Sequence, residues 1–224
     1  MKRTLFAVAI LLISASAEAQ QWAIGVSGGP FGYGDFASSS KTITNEVQTV
    51  RVTTSLTAPV RAGVTLDLER FLTSRWSVRA ESSYTHTELA VKSRISGATS
   101  SAIPLDVASL DVATAALPLV YRINSGRLQL QVFAGPAYAF YDMNSEQSSG
   151  DVPLFSGTRS GIGAEAGGGL EWIWKKNLVF RALASDIVTR SPLRRSDFEG
   201  PAPGSLKIEA PNNLHLTFGL SYRY

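Results

Sequence analysis

Apolar and polar residues alternate along most of this chain. The pattern is strictest at residues 213–224, where Leu214, Leu216, Phe218, Leu220, Tyr222 and Tyr224 are separated by His215, Thr217, Gly219, Ser221 and Arg223. A period of two gives a strand one greasy face and one polar face. Seven further segments share it. Segment 22–29 sets Trp22, Ile24 and Val26 on one face. Segment 60–70 sets Val60, Ala62, Val64, Leu66 and Leu68 against Arg61, Gly63, Thr65, Asp67 and Glu69. In 76–87, Trp76, Val78, Ala80 and Tyr84 oppose Ser77, Arg79, Glu81 and Ser83. Segment 109–122 ends with Leu117, Leu119 and Tyr121 against Pro118, Val120 and Arg122. In 128–140, Leu128, Leu130, Val132, Ala134, Tyr138 and Phe140 oppose Gln129, Gln131 and Gly135. In 162–174, Ile162, Ala164, Ala166, Leu170, Trp172 and Trp174 oppose Gly163, Glu165, Gly167, Gly169 and Glu171. Segment 178–187 sets Leu178, Phe180, Ala182 and Ala184 against Arg181 and Ser185.

The connections alternate in length. Residues 71–75, 123–127 and 175–177 are short turns, whereas 30–59, 88–108, 141–161 and 188–212 are long and polar. Short turns at one end and long loops at the other describe an all-β chain: an eight-stranded antiparallel up-and-down transmembrane β-barrel, with short turns and both termini periplasmic. The stretch 30–59, rich in Ser and Thr, is expected to be a mobile surface loop.

Aromatic placement tests this reading. Trp22, Trp76, Trp172 and Trp174 all fall at the short-turn end, with Phe71, Tyr121, Phe180, Tyr222 and Tyr224. That is the expected girdle at headgroup depth. Tyr84, Tyr138, Phe140 and Tyr141 are placed at the other rim. A soluble lipocalin-like barrel shows the same alternation with the apolar face inward. Against it, the polar faces carry Arg, Glu, Asp, Gly, Ser and Thr but no Lys, and their small residues suit a crowded interior.

Composition narrows the picture further. The chain has 224 residues, 44% hydrophobic and 17% charged, with a formal net charge of +3, which suits one domain and no nucleic-acid partner. Met1-Lys2-Arg3, an apolar run at 5–13 and Ala17-Glu18-Ala19 predict a signal peptide over 1–19 and a barrel domain over 20–224. The absence of Cys excludes disulfides, thiolate metal sites and lipid attachment to a cysteine.

The chain's end carries a resemblance. Thr217, Gly219, Tyr222 and Tyr224 match the polar–x–Gly–x–x–aromatic–x–aromatic signal that the barrel-assembly machinery reads in bacterial outer-membrane β-barrels. Leu117-Pro118-Leu119-Val120-Tyr121-Arg122, Phe133-Ala134-Gly135-Pro136, 163–169 and Asp186-Ile187 resemble the porin-like, OmpA/OmpX-sized eight-stranded family, in particular its PorT-like subgroup. The resemblance implies the outer membrane of a Gram-negative cell. It also implies contact with outer-membrane lipid, lipopolysaccharide and the barrel-assembly machinery. The family shares no catalytic residues and no cofactor; one branch is implicated in secretion and others are envelope or adhesion proteins.

Candidate chemistry is sparse. Parity places Arg61, Asp67, Glu69, Arg79, Glu81, Arg122, Glu165, Glu171, Arg181 and Arg223 in the lumen, five arginines against five carboxylates. Buried charges must pair, so an ionic plug is expected in so narrow a barrel. His86 and His215 are the only histidines. Some eight-stranded barrels are lipid A enzymes using a His with a Ser or a carboxylate. Here His215 points inward, and His86-Thr87-Glu88 is the better-placed trio. Gly167-Gly168-Gly169 lacks a following Lys-Ser/Thr, so it reads as a barrel kink rather than a phosphate cradle. The fourth long loop mixes Arg190, Arg194, Arg195 and Lys207 with Asp197, Glu199 and Glu209. No metal-ligand, nucleophile or cofactor motif stands out. The expected role is a non-enzymatic scaffold anchoring extracellular loops toward an unknown partner. A narrow channel or secretion accessory, and a lipid A-modifying enzyme, are the rivals.

Overall fold

The computed structural model of the chain describes residues 22–44, 49–96, 105–124, 126–144, 157–194 and 205–224. The leader expected at 1–19 lies outside them. The strands are β1 (Trp22–Tyr33), β2 (Ala37–Thr44), β3 (Thr49–Thr57), β4 (Arg61–Phe71), β5 (Trp76–Ile95), β6 (Leu105–Ala116), β7 (Leu119–Arg122), β8 (Leu128–Asn144), β9 (Gly157–Ile173), β10 (Leu178–Thr189), β11 (Ser205–Ile208) and β12 (Asn212–Arg223).

Eight staves close a ring in the order β1, β4, β5, β6 with β7, β8, β9, β10 and β12, and β12 pairs back onto β1. Every neighbouring pair is antiparallel. Closure removes the open sheet edges that a membrane does not tolerate. β6 and β7 are one stave interrupted at Pro118, which has no N–H to donate. The ladder bridges the gap: Arg79 N–H donates to Pro118 C=O at 3.0 Å, and Leu117 N–H to Pro136 C=O at 3.0 Å.

Alternation decides which side each residue takes. Leu66, Val132 and Leu170 face outward, 62%, 47% and 41% exposed, whereas Arg79 and Glu165 face inward at 0% and 2%. Arg at position 66 would meet hydrocarbon. Leu66→Arg is expected to destabilise the barrel by about 2–4 kcal/mol, read by urea unfolding in lipid vesicles. Unchanged stability would mean that this face is not in lipid.

The long connections differ from expectation. Of the stretch 30–59, expected as a mobile loop, the described residues continue the barrel wall. β1 pairs β4 as far as Phe31↔Arg61, then β2 pairs β3 from Ala37↔Leu56. β3 takes over from β4 beside the upper part of β5, from Thr57↔Ala90 to Val52↔Ile95. Part of 188–212, also expected as loop, forms β11, which pairs β2. β5 and β8 run on to Ile95 and Asn144, past the boundaries expected from sequence. The hydroxyl-rich segments ASSSKTIT and TVRVTTSLT hid these strands. Their Thr and Val are good strand formers even where no greasy face marks them.

Polarity inverts along the staves. On the lower part of β5 the outward residues include Ala80 and Tyr84, with Arg79 and Thr85 inside; higher up, Lys92 and Arg94 are exposed and Leu89 is buried. β8 changes likewise: Phe140 is outside and Gln131 inside, but beyond them Asp142 is exposed and Tyr141 and Met143 are buried. Lipid surrounds the lower part and water the upper, so the outer face follows its solvent. The upper interior is an apolar core of Phe31, Phe36, Leu56, Leu89, Leu110, Val112, Tyr141, Met143 and Leu193, with Val91, Leu206 and Ile208 against it. Tyr141, expected at the outer aromatic rim, is therefore interior, and its hydroxyl lies 2.7 Å from that of Thr189.

Candidate functional site

Two places could carry function: the lumen and the extracellular sheet. In the lower lumen, β4, β5, β7, β9, β10 and β12 each direct a charged residue inward. Glu171 accepts from Arg122 Nε at 2.9 Å, Arg181 Nε at 2.8 Å and Arg223 Nη2 at 2.8 Å. Glu69 accepts from Arg79 Nε at 3.3 Å and also from Arg122, Arg181 and the Ser77 hydroxyl. Arg181 also pairs with Asp67. Arg79 donates to Glu81 at 3.3 Å and to Gln131 Oε1 at 2.6 Å. Arg122 and Arg223 lie 4.5 and 4.9 Å from the centre of the Phe71 ring. Phe71, expected in the lipid girdle, thus sits beneath guanidinium groups at the lumen's lower mouth.

Arg61 is a correction. Parity assigned it to the lumen, but its side chain is half-exposed and pairs with Glu88 at the rim. It directly follows Ala58, Pro59 and Val60, where the ladder to β5 changes register. The lumen therefore holds four arginines against five carboxylates. Glu165 makes no ion pair among the described residues, and its Oε2 has no hydrogen-bond partner. Beside this network is a cavity of about 10 Å³, lined in part by Thr65, Asp67, Glu81, Ser185 and His215, with room for about one water. His215 is buried and stacked on Phe31, ring centres 3.9 Å apart. Above it the apolar core fills the barrel.

The other sequence candidates separate. His86 faces outward, its Nδ1 2.9 Å from Asp111 Oδ1, which also accepts from the Tyr84 hydroxyl at 2.6 Å. Thr87 is buried on the opposite face and donates to Pro59 C=O at 3.1 Å, while Glu88 pairs with Arg61. The trio 86–88 is not a constellation. The partnership of His86 with Asp111 was missed, because it depends on the β5–β6 register, His86↔Asp111. β9 runs unbroken through 167–169, paired on both sides, with Gly167 making room for Phe133 and Gly169 for Leu183. Among the described residues no group of His, Asp and Glu could hold a metal ion.

The lower outer rim is aromatic. Trp76 lies 4.7 Å from Tyr121, Trp172 and Trp174 lie 5.5 and 5.6 Å from Phe180, and the Arg70 guanidinium is 5.5 Å from Trp22. Of the terminal signal, Tyr222 and Tyr224 are exposed, Thr217 is buried, and Gly219 abuts Ser27 across the β1–β12 seam. Trp22 and Tyr224 exchange backbone hydrogen bonds of 3.1 and 2.9 Å that finish the seam. Of the fourth-loop charges, Arg195, Asp197 and Glu199 lie outside the described residues, and Lys207 is bound to Glu209 at 3.3 Å.

The extracellular sheet, β11–β2–β3–β5, is the second place. Leu56 is buried below it, and its outer face is built of Ser, Thr, Lys and Arg.

No family model and no curated protein sequence matches this chain. Solved structures do. The outer membrane protein OprG of Pseudomonas aeruginosa aligns with a TM-score of 0.58 at 15% identity, over 92% of this chain and 96% of OprG. Neisserial surface protein A aligns at 0.48 and 9%, over 92% of this chain and 100% of that one. The outer membrane protease OmpT from Escherichia coli aligns at 0.48 and 10%, over 94% and 99%. The chain has the fold of the bacterial outer-membrane β-barrels, and its greasy exterior is that of a protein of that membrane.

Proposed function

We propose that this barrel is a non-enzymatic scaffold that presents its extracellular sheet for recognition at the cell surface. The observation that carries this reading is the filling of the barrel. Ion pairs occupy the lower lumen and an apolar core the upper, while the strands rise beyond the lipid as a firmly backed sheet. A rigid platform of this kind is the usual support of recognition. The channel reading needs a path that these side chains obstruct. The lipid A enzyme reading has the pair of His86 and Asp111, but among the described residues no serine is bonded to it.

The chain has no Cys, so a single introduced thiol can be labelled on intact cells. Coupling a bulky maleimide to Thr53→Cys, on the outer face of β3, should reproduce the envelope phenotype of the gene deletion. The same label on Thr158→Cys, on β9, should leave the phenotype of the unmodified protein. Full function with Thr53 blocked would sink the reading, as would steady conductance steps in planar bilayers. Loss of a lipid A modification on His86→Ala would move the assignment to the enzyme class.

A further inference from the structure

One acid stands on the face that lipid covers. Along β10, Arg181, Leu183, Ser185 and Ile187 are buried toward the interior, so Phe180, Ala182, Ala184, Asp186 and Val188 point outward. Asp186 is six residues above Phe180 of the lower aromatic rim, about 20 Å along the strand. Its partner on β9 is Ala166, four residues below Ile162, and Ile162 pairs with Tyr138 of the upper rim. The carboxyl therefore lies within the greasy belt, which is about 25 Å tall in such barrels. The other described outward residues between these rims on β8, β9, β10 and β12 are uncharged. Among the described residues Asp186 makes no ion pair, and its Oδ1 is covered without a hydrogen-bond partner. An ionisable group at such depth is rare and costly, and it marks a functional contact.

The surface around Asp186 is self-complementary. On one side, β9 presents Ala164, Ala166 and Gly168, paired with Val188, Asp186 and Ala184 of β10. These small residues form a trough. On the other side, β12 presents Leu214, Leu216 and Phe218, 59%, 42% and 57% exposed, as a ridge. β10 runs between the two. Two barrels inserted in the same sense are related by a two-fold axis along the membrane normal, and such a contact uses the same patch twice. An axis passing beside Asp186 lays each ridge in the other copy's trough. It also brings the two Asp186 side chains together at equal depth. A protonated carboxyl has one O–H to donate and a carbonyl oxygen to accept. Two of them bond to each other and leave no charge in the hydrocarbon, where soluble cations and headgroups do not reach. Close approach over small residues, with a polar pair across the seam, is also what joins transmembrane helices. We propose that this chain forms a homodimer in the membrane through β9, β10 and β12, with Asp186 of one copy hydrogen-bonded to Asp186 of the other. The contact is independent of the recognition role given above.

The test uses the full barrel in phospholipid vesicles. The chain has no Cys, so Lys176→Cys, exposed in a periplasmic turn, carries a donor dye in one batch and an acceptor dye in another. Energy transfer is read as the protein-to-lipid ratio falls. Barrels otherwise native should exceed random proximity and dissociate on dilution. Asp186→Leu should weaken association about tenfold. Asp186→Asn, whose amide both donates and accepts, should stay within about threefold of native. Ala166→Phe, which fills the trough, should weaken association about tenfold or more. Leu66→Phe, a greasy enlargement on β4 across the barrel, should leave it unchanged. All four replace outward side chains, so each variant should keep the heat-modifiable folded band. Transfer no greater than random proximity in the native protein would overturn the assignment and leave Asp186 to a different embedded partner. So would undiminished association in Asp186→Leu, equal loss in Asp186→Asn and Asp186→Leu, or equal loss in Ala166→Phe and Leu66→Phe.

Discussion

Replacing Arg181 by Met is expected to destabilise the barrel by about 3–5 kcal/mol, the cost of breaking a buried ion pair from one side. Arg181 is buried and touches Asp67, Glu69 and Glu171. Met fills a similar volume, so little of the loss would come from a cavity. What remains is three carboxylates with less positive charge among them, in a space from which water is largely excluded. Glu69 keeps Arg79 and Arg122, and Glu171 keeps Arg122 and Arg223, but Asp67 has no other ion pair among the described residues. Glu165→Gln is the contrasting variant. Among the described residues Glu165 has no ion pair to lose, and the change lowers a lumen excess of five carboxylates over four arginines. Its expected cost is near zero. Urea unfolding of both variants in lipid vesicles reads the comparison. Native stability in Arg181→Met would remove the network from any account of what holds the barrel closed.

The membrane-embedded part was legible because its rule is simple. One solvent surrounds it, so greasy parity meant outward along β4, β5, β8 and β12, and Asp67, Glu69, Arg79 and Glu171 fell inside. Partner choice was not legible. That Arg181 meets Asp67 is fixed by barrel closure, which brings β10 opposite β4, and no local pattern carries that. The rule also failed above the lipid. There the outside is water, so the same parity puts Leu89, Tyr141 and Met143 inside and polar residues outside. Tyr141 was assigned to a lipid rim on its aromaticity alone. Sequence reading took the loss of a greasy outer face at 30–59 as the loss of strand, when only the solvent had changed. Arg61 was misplaced for another reason: it is the first residue of β4, at the rim, where its long side chain reaches Glu88 instead of the lumen. The lumen charges could be listed from sequence, but the pairing of His86 with Asp111 could not, because it depends on β6 lying beside β5.

The apolar half of the interior should prove as important as the ionic half. Phe31 is fully buried, stacked on His215, and seated over Gly63, where a Cβ would overlap its ring. Truncating it removes a whole aromatic side chain from a closed space. Phe31→Ala is therefore expected to cost about 3–5 kcal/mol. Gly63→Ala, which pushes a methyl group into that ring, should cost about 1–3 kcal/mol by overpacking. The two are not independent. With Phe31 already truncated, the methyl group at 63 enters vacated space and should cost little, so the double variant should be more stable than the sum of the single changes predicts. The discrepancy should exceed about 1 kcal/mol, which is large enough for a double-mutant cycle in urea to resolve. Strict additivity would show that Gly63 is not the seat of Phe31. A small effect of Phe31→Ala alone would show more: that the upper barrel is held by its backbone ladder rather than by the apolar core that fills it.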